Sequence, residues 1–210
     1  MSRKYLLDLK KELLKRHILL HSLTASTRID RLDTDIVDIL KNIGFKKLIV
    51  GIESGDKRVL SLTRKDIDID KALSVSRLIR KVGIRLECNY MVGLPGENLV
   101  SIIKTALISA RLRADSISVS IACPYPGTEL YTMCEQQKFG LRLLSGDFSE
   151  YNNELGNAME HERLSRKVLE IAQLFIYVFS FIGSFRFREF LLFSLRFRKE
   201  ALSFIKNFLK

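Results

Sequence analysis

The sequence predicts an α/β fold: a parallel sheet whose alternation points to a barrel rather than an open doubly wound sheet. Three observations lead there. Apolar, strand-like runs begin near residues 17, 46, 84 and 116, about 30 residues apart, the length of a strand plus its returning helix and far more than a hairpin needs. Between them lie segments with apolar residues at helical spacing and recognisable caps. Two of the strands also alternate polar and apolar residues, whereas the central strands of a doubly wound sheet are apolar on both faces. A polar face opposite a helix-packed one suits a barrel lumen that holds a ligand.

The first 16 residues place Leu6, Leu7, Leu13 and Leu14 among charges at roughly helical spacing, which predicts an amphipathic helix. HILLHSLTAS, from His17, is short and apolar like a buried strand. Asp33-Thr34 then opens a helix with Ile36, Leu40 and Ile43 on one face, stopped by Gly44. KKLIVGIES from Lys46 repeats the strand, and IDIDKALSVSRLIRKVG repeats the helix through Ala72, Val75, Ile79 and Val82 to Gly83. In IRLECNYMVG, Ile84, Leu86, Cys88, Tyr90 and Val92 alternate with Arg85, Glu87, Asn89 and Met91. PGEN leads into the helix LVSIIKTALISARL, and SISVSIAC from Ser116 is the fourth strand, with Ser116, Ser118 and Ser120 on one face. Beyond Gly140 the pattern breaks. LRLLSGDFSEYNN reads as a loop, and residues 160–210 read as helical, so the expected division is a barrel portion over 1–140 and a basic, Phe-rich helical extension over 141–210.

Composition bounds the function. In 210 residues, a hydrophobic fraction of 47% with 3 prolines and 11 glycines excludes disordered and collagen-like chains. Cys88, Cys123 and Cys134 are too few and too far apart for a disulfide framework and suit a reducing compartment, so a cytoplasmic location is expected. The charged N-terminus does not fit a secretion signal. The longest apolar run, Leu174 to Gly183, has 10 residues, where a membrane span needs about 20. The net charge of +11 is terminal: residues 1–16 carry +4, residues 183–210 carry +5, and the remainder only +2. That basicity suits a solvated face, an anionic membrane surface, RNA or an acidic partner, and says nothing about the central chemistry. Residues 160–210 hold 10 of the 13 phenylalanines, among them Phe185, Phe187, Phe190, Phe193 and Phe197 between arginines. These aromatics must bury against the barrel, against another chain or in a peripheral membrane contact. Nucleic acid is not expected as a partner.

In parallel barrels the ligand sits at the carboxyl ends of the strands. Three ends are distinctive: Gly51-Ile52-Glu53-Ser54-Gly55, Gly93-Leu94-Pro95-Gly96-Glu97, and Cys123-Pro124-Tyr125-Pro126-Gly127-Thr128-Glu129-Leu130-Tyr131. Glycine admits close approach of backbone to ligand, and a carboxylate such as Glu53 accepts hydrogen bonds from vicinal ribose hydroxyls. Each motif alone is an ordinary turn or cap sequence. Their ordered succession points to a nucleoside.

GIESGDKRVL, NYMVGLPGE and PYPGTELY resemble, in that order, the motifs after the fourth, fifth and sixth strands of the radical S-adenosylmethionine (radical SAM) enzymes, especially the branch associated with cobalamin-binding domains. The resemblance covers roughly residues 1–140 and implies a partial (β/α)6 barrel, of which this chain holds about four units. It implies that Glu53, with Ser54 beside it, contacts the ribose of S-adenosylmethionine. Met91 and Gly93 would lie against the adenine, and the backbone of Ile121 to Cys123 would read the adenine edge. Arg64 or Lys65 would reach the carboxylate of the ligand. In such enzymes a reduced four-iron cluster cleaves the cofactor to methionine and a 5′-deoxyadenosyl radical that abstracts hydrogen from substrate.

The chain departs from the family at its most specific signature. CxxxCxxC, whose thiolates hold the cluster, does not occur, and the cysteine spacings here are 35 and 11. Cys88, on the apolar side of its strand, fits a small buried hydrophobe instead. The chain is therefore expected to be the C-terminal half of a radical SAM catalytic domain with its extension, inactive alone. It would be either a fragment of a split or frameshifted gene or an accessory half that docks on a cluster-bearing N-terminal chain, with cobalamin bound only in the parent enzyme. An open parallel edge is expected along residues 17–25. The competing expectation is a non-catalytic binding protein that uses its basic, Phe-rich end on membrane or nucleic acid. His17 and His21 would suit a metal only on a helix, and their segment reads as strand. GxxxxGK[ST], GxSxG and HExxH are absent, so nucleotide hydrolysis, esterase and zinc-protease chemistry have no support.

Overall fold

The computed structural model describes residues 2–144, 151, 158–184, 186 and 191. Four strands, β1 (Leu23–Thr27), β2 (Phe45–Glu53), β3 (Arg85–Val92) and β4 (Ser116–Ile121), form one sheet in that order, every pair parallel. Helix α1 (Arg3–Lys15) precedes the sheet. The returns are α2 (Thr34–Ile43), α3 (Lys57–Leu62) with α4 (Ile69–Lys81), and α5 (Leu99–Leu112). The sheet stays open, and β1 and β4 are its ends.

Local chemistry sets the helix limits. Asp33, Asp68 and Asn98 each accept a hydrogen bond from a first-turn N–H at the start of α2, α4 and α5, and Asn98 forms a capping box with Ser101. Gly44 ends α2 at φ 112, and the backbone of Leu20 crosses so closely that a Cβ on Gly44 would lie 2.0 Å from the Leu20 oxygen. That crossing explains a departure from the sequence reading. The first strand begins at Leu23, not His17, because β2 begins only at Phe45, which pairs with Leu23, while residues 18–22 lie outside the sheet. The open edge is accordingly Leu23–Thr27.

One face of the sheet is dry. Leu48, Val50 and Ile52 of β2, Cys88, Tyr90 and Val92 of β3, and Ile117, Val119 and Ile121 of β4 are buried in the main core with the inner faces of the helices. The opposite face carries Glu87, Asn89, Ser116, Ser118 and Ser120, all half-buried. The predicted alternation thus matches the two faces.

After β4 come α6 (Glu129–Glu135), a two-stranded antiparallel pair β5 (Leu141–Leu143) and β6 (Met159–His161), and α7 (Arg166–Ile182). The sequence reading had only a loop where β5 lies, since three residues are too short for a periodic signal. Helix α7 packs on α5 and β4, and Leu169, Ala172, Ile176 and Phe181 join the main core. It also meets the free edge of β4 at Val119. The Val119 N–H donates to the Tyr177 hydroxyl at 3.0 Å, and Gln173 Nε2 donates to the Val119 carbonyl at 2.9 Å. Phe187, Phe190, Phe193 and Phe197 lie outside the described residues, as does Phe185.

Gly44→Ala should destabilise the fold by about 2 kcal/mol or more, because it adds left-handed strain and a clash with backbone. Urea unfolding checks this, and an unchanged midpoint would contradict the crossing.

Candidate functional site

All four strands point the same way, so their carboxyl ends share one edge. At that edge β2 carries an irregularity. Its register with β3 runs to Gly51 opposite Asn89 and then skips to Glu53 opposite Tyr90, and Glu53 has φ 65. Such a bulge re-aims the side chain that follows it. The Glu53 carboxylate bonds Lys65 Nζ through Oε1 at 2.7 Å, with both side chains mostly shielded from solvent. Gly51 makes the arrangement feasible, since a Cβ there would lie 2.4 Å from Glu53 Oε1 and 3.2 Å from Lys65 Nζ. Lys65 is held in turn by its carbonyl, which accepts from Arg28 Nη2 at 3.0 Å. Arg28, just past β1, also binds Asp30 through two hydrogen bonds of 3.1 and 2.9 Å, and these hold the Asp30 carboxyl below its ordinary range. The ends of β1 and β2 are thereby joined.

Arg64, at φ 51, reaches the other way. Its guanidinium meets Glu129 Oε1 at 3.0 Å, joining the loop between α3 and α4 to the first turn of α6 beyond β4. Ser54 does not enter this array. It is fully buried, its hydroxyl 3.3 Å from that of Thr105 in α5, and it accepts the Asp56 N–H. It fixes the turn behind Glu53 rather than presenting itself at the edge.

The end of β3 is a tight turn. Gly93 and Gly96 adopt φ 81 and 71, and the Glu97 carboxylate closes the turn by accepting the N–H of Gly93 at 2.6 Å and of Leu94 at 3.3 Å. Glu97 is fully buried and its Oε1 has no partner among the described residues. Burial pushes its carboxyl from 4.5 up to about 7 despite the two N–H donors. The missing Cβ of Gly93 faces Leu169 and Met159 rather than open space. Met91, half-buried, packs on a second small core of Val59, Leu94, Ala122, Cys134, Leu141 and Met159. That core braces the ends of β3 and β4 with the β5–β6 pair. At β4 the Ile121 side chain is buried on the helix side, the Ala122 N–H bonds the Val92 carbonyl, and Cys123 is buried with its carbonyl accepting the Tyr125 N–H.

The cysteines do not form a ligand set. Cys88 lies on the helix-facing side of β3 with its thiol pushed up by burial to about 12, and burial pushes Cys134 up to about 11. No group of three His, Cys, Asp or Glu side chains among the described residues could hold a metal ion.

The structure thus joins Glu53, Lys65, Arg64 and Glu129 along the shared edge, with Met91 and Gly93 on the neighbouring strand end. Sequence reasoning passed over Arg28 and the bond between Glu53 and Lys65. The signal for Arg28 was its place directly after the first strand, the one end without glycine. Nothing in sequence spacing announces a pair twelve residues apart.

The family model described as the radical SAM superfamily matches residues 2–107. An uncharacterized methyltransferase of Pyrococcus horikoshii is 28% identical over 110 residues, 52% of this chain and 24% of that protein. The tRNA-2-methylthio-N(6)-dimethylallyladenosine synthase of Buchnera aphidicola is 29% identical over 114 residues, 50% of this chain and 26% of that one. The chain spans about a quarter of each relative. Among solved structures, the radical S-adenosylmethionine methyltransferase TsrM of Kitasatospora setae, with cobalamin and a [4Fe-4S] cluster bound, superposes with a TM-score of 0.56 at 20% identity, over 70% of this chain and 32% of that one. Coproporphyrinogen III oxidase of Escherichia coli does so with a TM-score of 0.52 at 20% identity, over 70% and 39%.

Because Glu97 holds its proton more tightly when folded than when unfolded, folding takes up a proton between about pH 4.5 and 7 and stability falls as pH rises through that window. Glu97→Gln should flatten that slope in unfolding experiments from pH 4.5 to 8. An identical slope in the variant would contradict the buried acid.

Proposed function

We propose, from the premise that this chain belongs to the radical SAM superfamily, that its strand ends form the nucleoside-binding side of an S-adenosylmethionine site in an iron-sulfur-dependent reaction. The observation that carries the reading is the Glu53 bulge. A carboxylate at the end of a barrel strand, re-aimed by the bulge and seated over a glycine, keeps Oε2 beyond its Lys65 bond for vicinal hydroxyls. S-adenosylmethionine fits these residues, and when bound and reduced by one electron it supplies the family's hydrogen-abstracting chemistry.

Each residue then has a task. Glu53 accepts the ribose hydroxyls, and Lys65 fixes its rotamer while balancing its charge. Met91 offers an apolar, polarizable surface to the adenine, and the backbone of Ile121 to Cys123 meets the adenine edge. Gly93 and Glu97 hold the β3 turn in place. Arg64 takes the ligand carboxylate rather than Lys65, which is already committed. The exposed pair of Arg64 with Glu129 is worth only about 0–1 kcal/mol, so exchanging Glu129 for that carboxylate costs little. Ser54 supports Glu53 through Thr105.

The cluster does not fit this chain, whose three thiols are buried and scattered. A CxxxCxxC stretch outside these 210 residues would supply its ligands, most simply one that adds strands at β1. No residue here is assigned to cobalamin. The relatives' names include methyltransferase and synthase, so the substrate and the transferred group do not carry over.

Titration calorimetry with S-adenosylhomocysteine should show binding that Glu53→Ala weakens by about tenfold or more and Arg64→Ala by about threefold. Equal affinities would remove Glu53 from the site. Under dithionite, 5′-deoxyadenosine should form only when a cluster-bearing half is added, and its formation by this chain alone would contradict the division of labour.

A further inference from the structure

Four helices cover the dry face of the sheet, and they treat solvent in two different ways. The exposed residues of α2 are Thr34, Asp35, Asp38 and Asn42, and those of α4 are Asp70, Lys71, Ser74, Arg77, Arg80 and Lys81. Every one is polar, as the outer face of a barrel helix should be. The neighbouring pair reverses this. Helix α5 exposes Leu99, Val100, Ile103, Lys104, Leu107 and Arg111, and α7 exposes Arg166, Lys167, Ile171, Leu174, Phe175 and Ile182. Each is either a large apolar side chain, between 38% and 60% exposed, or a cation. The two helices pack side by side. Their one acid, Glu170, is half-buried and paired with Arg166 at 3.0 Å.

We propose that the outward face of α5 and α7 is a contact surface for an anionic lipid bilayer. Large apolar side chains grouped on one exposed face mark an interaction surface, and the choice of occupant follows from charge. Residues 187–210 carry six Lys/Arg against two Glu, so laying that segment on α5 and α7 would bring like charges together. A second copy of this chain meets the same repulsion. RNA would answer the cations, but seven of the eight exposed apolar side chains are aliphatic and give bases no stacking surface, Phe175 being the exception. A bilayer answers both, with acyl chains for the apolar residues and phosphates for Arg111, Arg113 and Lys167, while Lys104 is held by Asp56 at 2.7 Å and Arg166 by Glu170. No helix among the described residues is long and apolar enough to span, so the contact lies in the plane of the surface. This surface is on the helix side of the sheet and stands whether or not the strand ends bind a nucleoside.

The test is co-sedimentation of the full chain with phosphatidylcholine vesicles and with vesicles containing phosphatidylglycerol. Binding should be about tenfold tighter to the anionic vesicles at low salt and fall steeply in 0.5 M salt. Ile103→Glu and Leu174→Glu, both at exposed sites that leave the core untouched, should each weaken binding about fivefold or more while the thermal transition stays put. Arg111→Glu should reduce the salt dependence. Unchanged vesicle binding in the Glu variants, as when residues 187–210 alone attach the chain, would overturn the proposal. So would a dimer that Ile103→Glu dissolves, or tighter binding to single-stranded RNA than to anionic vesicles.

Discussion

A parallel sheet admits no hairpins, and that single constraint organises the molecule. Each strand must be followed by a helix that carries the chain back, so the strand ends gather on one edge, and because the strands also lie in sequential order the right-handed crossovers put the helices on one face. The other face is released from packing and can be polar. The array of Arg28, Glu53, Lys65, Arg64 and Glu129 along one edge follows from this rule, because loops distant in sequence meet there without any dedicated binding domain. Residues at those loops can change chemistry while the core stays fixed.

Within that frame the most consequential local event is the irregularity between Gly51 and Glu53. A regular strand would run past the edge with its carboxylate in sheet register. The bulge instead puts Glu53 in a left-handed conformation that costs about 1–3 kcal/mol, offset by the Lys65 ion pair and the core burial of Ile52. Strain at this spot, in a residue that is not glycine, is the observation on which the proposed nucleoside contact rests. The small second core beneath β3 and β4 plays the complementary part, stiffening the neighbouring ends through Met159, Cys134 and Leu141.

Much of this was legible in the sequence, for identifiable reasons. Asp33, Asp68 and Asn98 announce helix starts by cap chemistry, and Gly44 and Gly83 announce stops, so α2, α4 and α5 fall where the periodicity places them. Alternation in β3 and β4 foretold the two faces of the sheet. What escaped depends on tertiary distance. The start of β1 is set by where Phe45 begins β2, the three-residue strands have no period, and the bond of Ser54 with Thr105 joins residues far apart in sequence. The pairing of Lys65 with Glu53 and the exposed apolar face of α5 also lie beyond pattern reading, since helical periodicity finds a buried face without telling how wet the other one is.

The central claim is that the ends of β2, β3 and β4 act together on one nucleoside. Amide chemical-shift mapping with S-adenosylhomocysteine tests it most directly. The account predicts saturable shifts that cluster at Gly51 to Ser54, Met91 to Leu94 and Ile121 to Cys123 with a common dissociation constant. Shifts confined to one of these stretches, or centred on α2 and α4 across the sheet, would contradict it.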